Sequence, residues 1–290
     1  LGLKATDTWF VGNSLGNATP LLNYSDHSDY GAKYGANFIA PTVTFGSEGQ
    51  NHIRNSKVYD YQNEMSKIYE MQSFLNNAYN AESRDFGGVE NTAEEKENIK
   101  AFVRETFDKQ AANLIAKPPV SDNNDTNVVG YACEVLKWFK PKVTVVNLNS
   151  SDICHSNFTG YLKGIHRADH AMGHLWNYIQ TQIPEMAGNT MMIMTPDIGR
   201  NELPNNAVDE NNWAAYDHSD INSTRIFSQM VGMGVQSNLQ LGNPGNSIGD
   251  ITDSLLTIGE ALGIKGIIQS EGHISSDAMS LFDRILSNDL

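Results

Sequence analysis

The chain has 290 residues, of which 40% are hydrophobic and 19% are charged, and its formal net charge at pH 7 is −14. A chain of this length can bury a sizeable core as one large domain or two small ones. The acidic balance argues against nonspecific binding to nucleic acid, which needs Lys and Arg side chains to neutralise phosphates.

The first eighty residues predict strands and a helix around a long polar segment. Residues 4–11 contain β-branched and aromatic side chains and predict a strand that ends at Gly12. Residues 14–55 are rich in Gly, Asn, Ser, Tyr and Asp, which is typical of a long surface loop, with one strand expected at residues 38–45. Residues 59–79 have apolar side chains at helical spacing and predict a core helix.

Two amphipathic helices are predicted next. Thr92 and Glu95 form the pattern of a capping box, and the helix that they open ends before Pro118. Residues 128–139 predict the second helix, which stops before Pro141. The buried stripe expected on the first helix consists of Ile99, Phe102, Val103, Phe107, Leu114 and Ile115.

The central strand signal is the β-branched run at residues 143–146, which leads to Asp152 and His155. In open α/β sheets, ligands collect just beyond the carboxyl ends of the strands. Carboxylate oxygen and imidazole nitrogen are common ligands of ions such as Zn²⁺. Asp152 and His155 are therefore candidate metal ligands, and the alternative for Asp152 is a cap of the following helix.

Residues 159–183 predict a long helix that also carries three histidines at a spacing of four. His166, His170 and His174 share one side of this helix. A solvated helix face is favoured over a metal site, because the pattern lacks the Glu of a HExxH motif. The expected apolar face consists of Leu162, Ile165, Ala168, Met172, Leu175, Trp176 and Ile179.

A second strand is predicted at residues 191–194, and Asp197 follows it directly. Asp197 is a further candidate metal ligand, with a turn residue as the alternative. Arg200 could bind an anionic group of a substrate bidentately, or form a salt bridge with a nearby carboxylate. His218 lies in the next loop and is either a fourth metal ligand or a surface histidine.

The last third of the chain predicts one strand and two helices. The strand covers residues 225–235 and ends in a Gly-Met-Gly turn, and the helices cover residues 250–262 and 275–286. Alternation of strands and helices is typical of an α/β fold. We expect a three-layer sandwich, with a mainly parallel central sheet covered by helices on both faces.

The order of these pieces resembles the alkaline phosphatase superfamily, which includes phosphatases, sulfatases, phosphodiesterases and cofactor-independent phosphoglycerate mutases. The resemblance covers residues 141–265 well and the first 140 residues only loosely. Its pieces are, in chain order, Asp152 and His155, Asp169 with Gly173-His-Leu175, Asp197-Ile-Gly199, His218, Gly232-Met-Gly234, and the run from Gly249 to Leu256 followed by Leu262-Gly-Ile264.

The resemblance implies a metal-dependent hydrolase of phosphate or sulfate esters. Asp152, His155 and His218 would form one metal site and Asp197 would belong to a second, each holding a divalent cation, with Zn favoured and Ca, Mg or Mn as alternatives. Residues 1–290 would form a single α/β domain of this type that lacks the family's first strand and its nucleophile helix.

Two departures from the family weaken the prediction of activity. Ile198 stands where the family usually has a metal-binding His, and no convincing nucleophile lies at a strand-to-helix turn, so the catalytic residues stay unassigned. Thr6, Thr8 and Ser14 are candidates only by default. The alternatives are an inactive member acting as a surface, binding or assembly protein, and a plain doubly wound α/β domain with another ligand.

The expected partners are a small anionic ester or another protein, with no nucleic acid and no membrane span, since no apolar run approaches ~20 residues. The chain does not begin with Met and has no recognisable signal peptide, so we expect an upstream portion before Leu1. The acidic, Asn-rich composition and the resemblance suggest a secreted or periplasmic bacterial protein. Cys133 and Cys154 are expected as buried thiols, although one bridge between them remains open.

Overall fold

A computed structural model describes residues 3–12, 36–39, 41, 91–121, 123–272 and 274–286. The predicted helix at residues 59–79 and the candidate Ser14 lie outside these residues. The chain divides into two compact units. The first unit takes the described residues up to Asp152 together with Gly160–Ile183, and the second takes Ile153–Thr159 and the described residues from Pro184 onward.

The first unit contains a parallel sheet of three strands. β1 (Thr8–Gly12), β2 (Asn37–Ile39) and β3 (Val143–Asn147) are arranged in the order β2-β1-β3, and β1 pairs with both neighbours in parallel. Trp9 and Phe10 of the central strand, whose side chains point to opposite faces of the sheet, are only 2% and 3% exposed. A strand buried on both faces is typical of a parallel sheet covered by other elements. The strand predicted at residues 143–146 is confirmed, because it corresponds to β3.

The two predicted amphipathic helices are present in the first unit as α1 (Ala93–Ala111) and α2 (Asn124–Phe139). α1 begins at the predicted position but ends before Leu114 and Ile115, whereas α2 ends at the predicted position but begins before residue 128. The predicted capping box opens α1, since the Thr92 hydroxyl accepts from the Glu95 amide and the Glu95 carboxylate accepts from the Thr92 amide. The same carboxylate accepts two hydrogen bonds from Thr6, just before β1. Burial raises the pKa of Glu95, but these hydrogen bonds outweigh it and hold the pKa below its ordinary value.

The third helix of the first unit buries the predicted face only toward its C-terminal end. α3 (Phe158–Gln182) buries Gly164, whereas Leu162 and Ile165 are 48% and 46% exposed. A Cβ on Gly164 would lie 3.1 Å from the carbonyl oxygen of Ser150, so the helix approaches this backbone through its smallest residue. The expected apolar face was therefore wrong at its N-terminal end and right at Leu175 and Ile179, which are buried. Leu114, expected in the α1 stripe, lies beyond the helix end and is 68% exposed.

The second unit contains two strands and short helices. β4 (Met191–Met194) pairs with β5 (Gln229–Gly232), and the pair is antiparallel. We expected β4 to belong to the parallel sheet, but among the described residues it forms a separate two-stranded sheet with β5. The helices are α4 (Pro184–Ala187), α5 (Ile251–Ala261), α6 (Lys265–Ser270) and α7 (Phe282–Ile285).

The C-terminal predictions are confirmed in part. α5 matches the helix expected at residues 250–262, whereas the helix expected at residues 275–286 contracts to α7. Taken together, the described elements form an α/β protein with a small parallel sheet. Cys133 and Cys154 are both buried thiols, as expected. Within the described part of the chain, no helix combines the length and the apolar character needed to cross a membrane.

Candidate metal centre

A short 3-10 helix, Ser150–His155, follows β3 and carries two of the predicted ligands. Its start is fixed by the carboxylate of Asp125, which is 1% exposed and accepts hydrogen bonds from the amides of Asn149 and Ser150. Asp152 and His155 are three residues apart on this one element. The predicted strand followed by Asp-x-x-His therefore corresponds to β3 followed by a tight 3-10 turn that carries both side chains.

The structure groups three of the four predicted metal ligands. One ligand atom each from Asp152, His155 and His218 lie within 4.8 Å of one another. The rings of His155 and His218 have centres 4.7 Å apart at an interplanar angle of 73°. With metal–nitrogen bonds of about 2.0–2.1 Å, two imidazoles on one ion have ring centres about 4.5–5.2 Å apart. The ring separation therefore suits two histidines that bind one ion.

A carboxylate not assigned to the site from sequence orients one of these histidines. His155 Nδ1 lies 2.7 Å from an oxygen of Asp217. The hydrogen bond from His155, a second from Asn205 and the nearby imidazoles hold the pKa of Asp217 below its ordinary value. An ionised carboxylate only accepts, so Nδ1 carries the proton, and in the neutral imidazole Nε2 then carries the lone pair that a metal needs.

The Asn-rich loop that carries Asp217 and His218 is held by amide side chains and backbone pairs. Asn205 donates from Nδ2 to the carbonyl of His155 over 3.0 Å, and the Asn201 amide donates to the Asp217 carbonyl over 2.8 Å. The Asn201 side chain accepts from the amides of Ser219 and Asp220. The asparagines therefore satisfy backbone groups that a long loop would otherwise leave unpaired, and they fix the path that presents His218.

The base of the same loop is braced by Asp209, which is buried. Its carboxylate accepts from the amides of Thr159, Asn211 and Trp213. Burial raises the pKa of Asp209, but these hydrogen bonds and one from the Thr159 side chain outweigh it and lower the pKa to about 2. The Thr159 amide is one of the first-turn donors of α3 that have no partner inside the helix. Asp209 is therefore a structural carboxylate rather than a ligand.

Asp197 and Arg200 are placed outside the three-residue group. Asp197 is exposed, and its carboxylate accepts from the amide of Ile198 over 2.9 Å, which is a turn interaction. Arg200 is half-buried, and its carbonyl accepts from the side chain of Asn222. Gly199 lies between them because a Cβ there would meet the carbonyl of Arg225. The assignments of Asp197 to a second metal site and of Arg200 to substrate binding remain predictions.

Asp217 was the functional residue that sequence reasoning left without a role. Its only signal is its position next to His218, and adjacent residues in a loop commonly point to different sides. Asp152, His155 and His218 supply two imidazoles and one carboxylate, and Asp217 orients one of the imidazoles. A catalytic zinc site has a similar composition, with three protein ligands and one open position. Asp152 and His218 are exposed, so a small molecule in solution can reach them.

No family model matches the chain, and comparisons with curated proteins and with solved structures give no match. The resemblance to the alkaline phosphatase superfamily therefore rests on the ordered series of residues alone.

Proposed function

We propose that this chain is a metal-dependent hydrolase of phosphate or sulfate esters, with a divalent cation held by Asp152, His155 and His218. The observation that carries the proposal is the gathering of their ligand atoms within 4.8 Å. Two imidazoles favour Zn²⁺, because Ca²⁺ and Mg²⁺ prefer sites made of oxygen ligands. Mn²⁺ is the next choice, since it accepts both kinds of ligand.

The protein residues have separate tasks in this proposal. A bound divalent cation supplies charge that polarises an ester oxygen and lowers the pKa of the attacking group. Asp217 holds the His155 ring and its tautomer through the 2.7 Å hydrogen bond. Arg200 is the proposed second contact for the anionic group of the ester.

The charge of the chain makes a cationic centre necessary for such a substrate. With a formal net charge of −14, the protein as a whole repels an anionic ester. Local positive charge, from a cation and from Arg200, is needed to offset this repulsion at the site. The negative charge of the chain therefore supports both the proposed cation at the site and the expectation that the protein does not bind nucleic acid.

The wider context belongs to the same proposal. We place the parallel sheet β2-β1-β3 at the centre of a three-layer sandwich of the alkaline phosphatase type. The partner is a small anionic ester, or a protein if the chain does not turn over esters, and the setting is secreted or periplasmic in a bacterium. The support is the ordered series of residues between 141 and 265 together with the acidic composition.

A second candidate is an inactive member of the same fold that binds a cation and acts as a surface, binding or assembly protein. Two observations favour it. Ile198 cannot ligate a metal where the family has a His, and the Asp197 carboxylate is hydrogen-bonded to the Ile198 amide. A second cation site at Asp197, which the family uses for the transferred group, would therefore lack the ligand that Ile198 replaces.

Zinc titration of metal-free protein by calorimetry, paired with turnover of p-nitrophenyl phosphate and p-nitrophenyl sulfate, tests both candidates. We expect Zn²⁺ binding that is at least about 100-fold weaker in His155→Ala and in His218→Ala, because each removes one of three ligands. Glu202→Gln is the matched control, since Glu202 is exposed in the same loop and outside the ligand group.

The outcomes separate the candidates. Zinc-dependent turnover that is lost in Asp152→Asn and kept in Glu202→Gln supports the hydrolase. Zinc binding that depends on His155 and His218, without turnover of either ester, supports the inactive cation-binding protein. Zinc affinity that is the same in wild type, His155→Ala and His218→Ala rejects both.

A further inference from the structure

Two histidines on the first unit form a pair that the proposed function does not use. His166 and His170 lie one turn apart on α3, and both are exposed. Their ring centres are 4.5 Å apart, and the rings are inclined by 69°. Among the described residues, neither imidazole makes a hydrogen bond or an ion pair, so their nitrogens are not committed to other groups.

The ring separation matches that of two imidazoles bound next to each other on one ion. With metal–nitrogen bonds of about 2.0 Å and a nitrogen–metal–nitrogen angle of about 90°, the ring centres lie about 4.5 Å apart. The separation in the structure is 4.5 Å. An angle near 90° is that of square-planar and tetragonal sites, which Cu²⁺ and Ni²⁺ prefer.

The third histidine of the helix does not belong to the pair, although its spacing from His170 is the same. His174 is half-buried, and its Nε2 lies 3.3 Å from the carbonyl oxygen of Ala116. Its ring also packs against Tyr178, with centres 6.3 Å apart. The local contacts of the helix therefore distinguish His166 and His170 from His174, which sequence spacing alone cannot do.

We propose that His166 and His170 form a second metal site that binds Cu²⁺ through the two imidazoles, with solvent completing the coordination. Within the described residues, the one candidate group of three ligands is that of Asp152, His155 and His218, so this pair binds without a third protein ligand. A site with two imidazoles and water suits Cu²⁺ best, because Cu²⁺ binds nitrogen ligands more tightly than Ni²⁺ or Zn²⁺. The two sites share no residue.

Copper titration of the 290-residue chain tests the proposal in a His155→Ala background, which removes a proposed ligand of the first site. Affinity is measured by calorimetry against glycine as a competing chelator, and the ligands are identified by electron paramagnetic resonance. We expect one Cu²⁺ with nitrogen splitting from two imidazoles. Adding His166→Gln or His170→Gln should weaken binding at least about tenfold and remove one nitrogen from the spectrum.

The matched control is His174→Gln in the same background, which removes an imidazole from the same helix and should leave affinity and spectrum unchanged. The proposal is overturned if His166→Gln and His170→Gln leave copper binding unchanged, or if His174→Gln weakens it equally. Zinc binding by otherwise wild-type protein should not respond to His166→Gln or His170→Gln, so failure of this site is distinguishable from failure of the first.

Discussion

At the scale of single residues, the contact between Asp217 and His155 is the most informative, because it suggests an orienting role for a carboxylate outside the group of Asp152, His155 and His218. Asp217→Asn keeps the size of the side chain and removes its charge. The amide can then donate to Nδ1, which favours the tautomer whose lone pair is on the wrong nitrogen. We expect Zn²⁺ affinity to fall about 10- to 100-fold, the usual effect of losing the partner of a ligating histidine.

Calorimetry gives the affinity of Asp217→Asn, and nitrogen chemical shifts of His155 report its tautomer. A purely structural role would lower the melting temperature without changing the tautomer. Affinity equal to that of wild type, or a lower melting temperature with an unchanged tautomer, would contradict the positioning role. Glu202→Gln again serves as the control for loss of one negative charge from the loop.

The sequence predicted part of this site for reasons that can be stated residue by residue. Asp152 and His155 were found because a strand signal precedes them, and the turn that follows is short enough to keep them together. His218 was a candidate from its place in the next loop, and the resemblance grouped it with Asp152 and His155. Asp197 was a candidate because it directly follows a strand, and the structure turns its carboxylate to its own backbone. Such distances depend on the loop path that Asn201 and Asn205 fix, and that path has no local sequence signal.

At the scale of elements, the first turn of α5 holds the C-terminal segment of the described chain. Asp253 is 3% exposed, and its carboxylate accepts from the amides of Asp250 and Met279. We expect Asp253→Ala to lower the free energy of unfolding by about 2–6 kcal/mol, because two amide donors lose their acceptor at about 1–3 kcal/mol each. Urea unfolding measures the change.

The matched control for that substitution is Asp283→Ala, because Asp283 is an exposed aspartate in the first turn of α7. Exposed substitutions of this kind usually change stability by less than about 0.5 kcal/mol. If the two variants were equally stable, the hydrogen bonds of Asp253 would be dispensable and the C-terminal segment would be held by packing alone.

The capped starts of α1 and α5 were easier to predict than helix faces or strand partners. The caps of α1 and α5 depend on side chains within one turn of the helix start, and Gly263 after α5 adopts a φ of +72° that favours glycine. The buried face of α3 depends on how closely Gly164 approaches the backbone of Ser150, which hydrophobicity does not reveal. The antiparallel partner of β4 depends on the course of the intervening loop, which the strand sequence does not specify.

At the scale of the whole molecule, composition and element alternation were enough for the α/β class but not for the internal division. The single domain expected over residues 1–290 stays a prediction, and the chain crosses between the two compact units after Asp152, Thr159 and Ile183. The first of these points lies inside the 3-10 helix Ser150–His155, which contains no Gly or Pro. Contacts between distant residues define the units, and a single sequence carries little information about them.

The charge of the molecule also decides how a metal effect must be measured. With a net charge of −14, any divalent cation stabilises the chain somewhat by screening self-repulsion, so Mg²⁺ at the same concentration is the necessary reference. We expect Zn²⁺ at 100 times its dissociation constant to add about 2.7 kcal/mol to the free energy of unfolding and to raise the melting temperature by roughly 5–10 °C beyond Mg²⁺. In His155→Ala, Zn²⁺ and Mg²⁺ should give the same small shift, measured by differential scanning calorimetry. Equal shifts in wild type would mean that Zn²⁺ acts only through charge screening, which would leave Asp152, His155 and His218 without a specific ion.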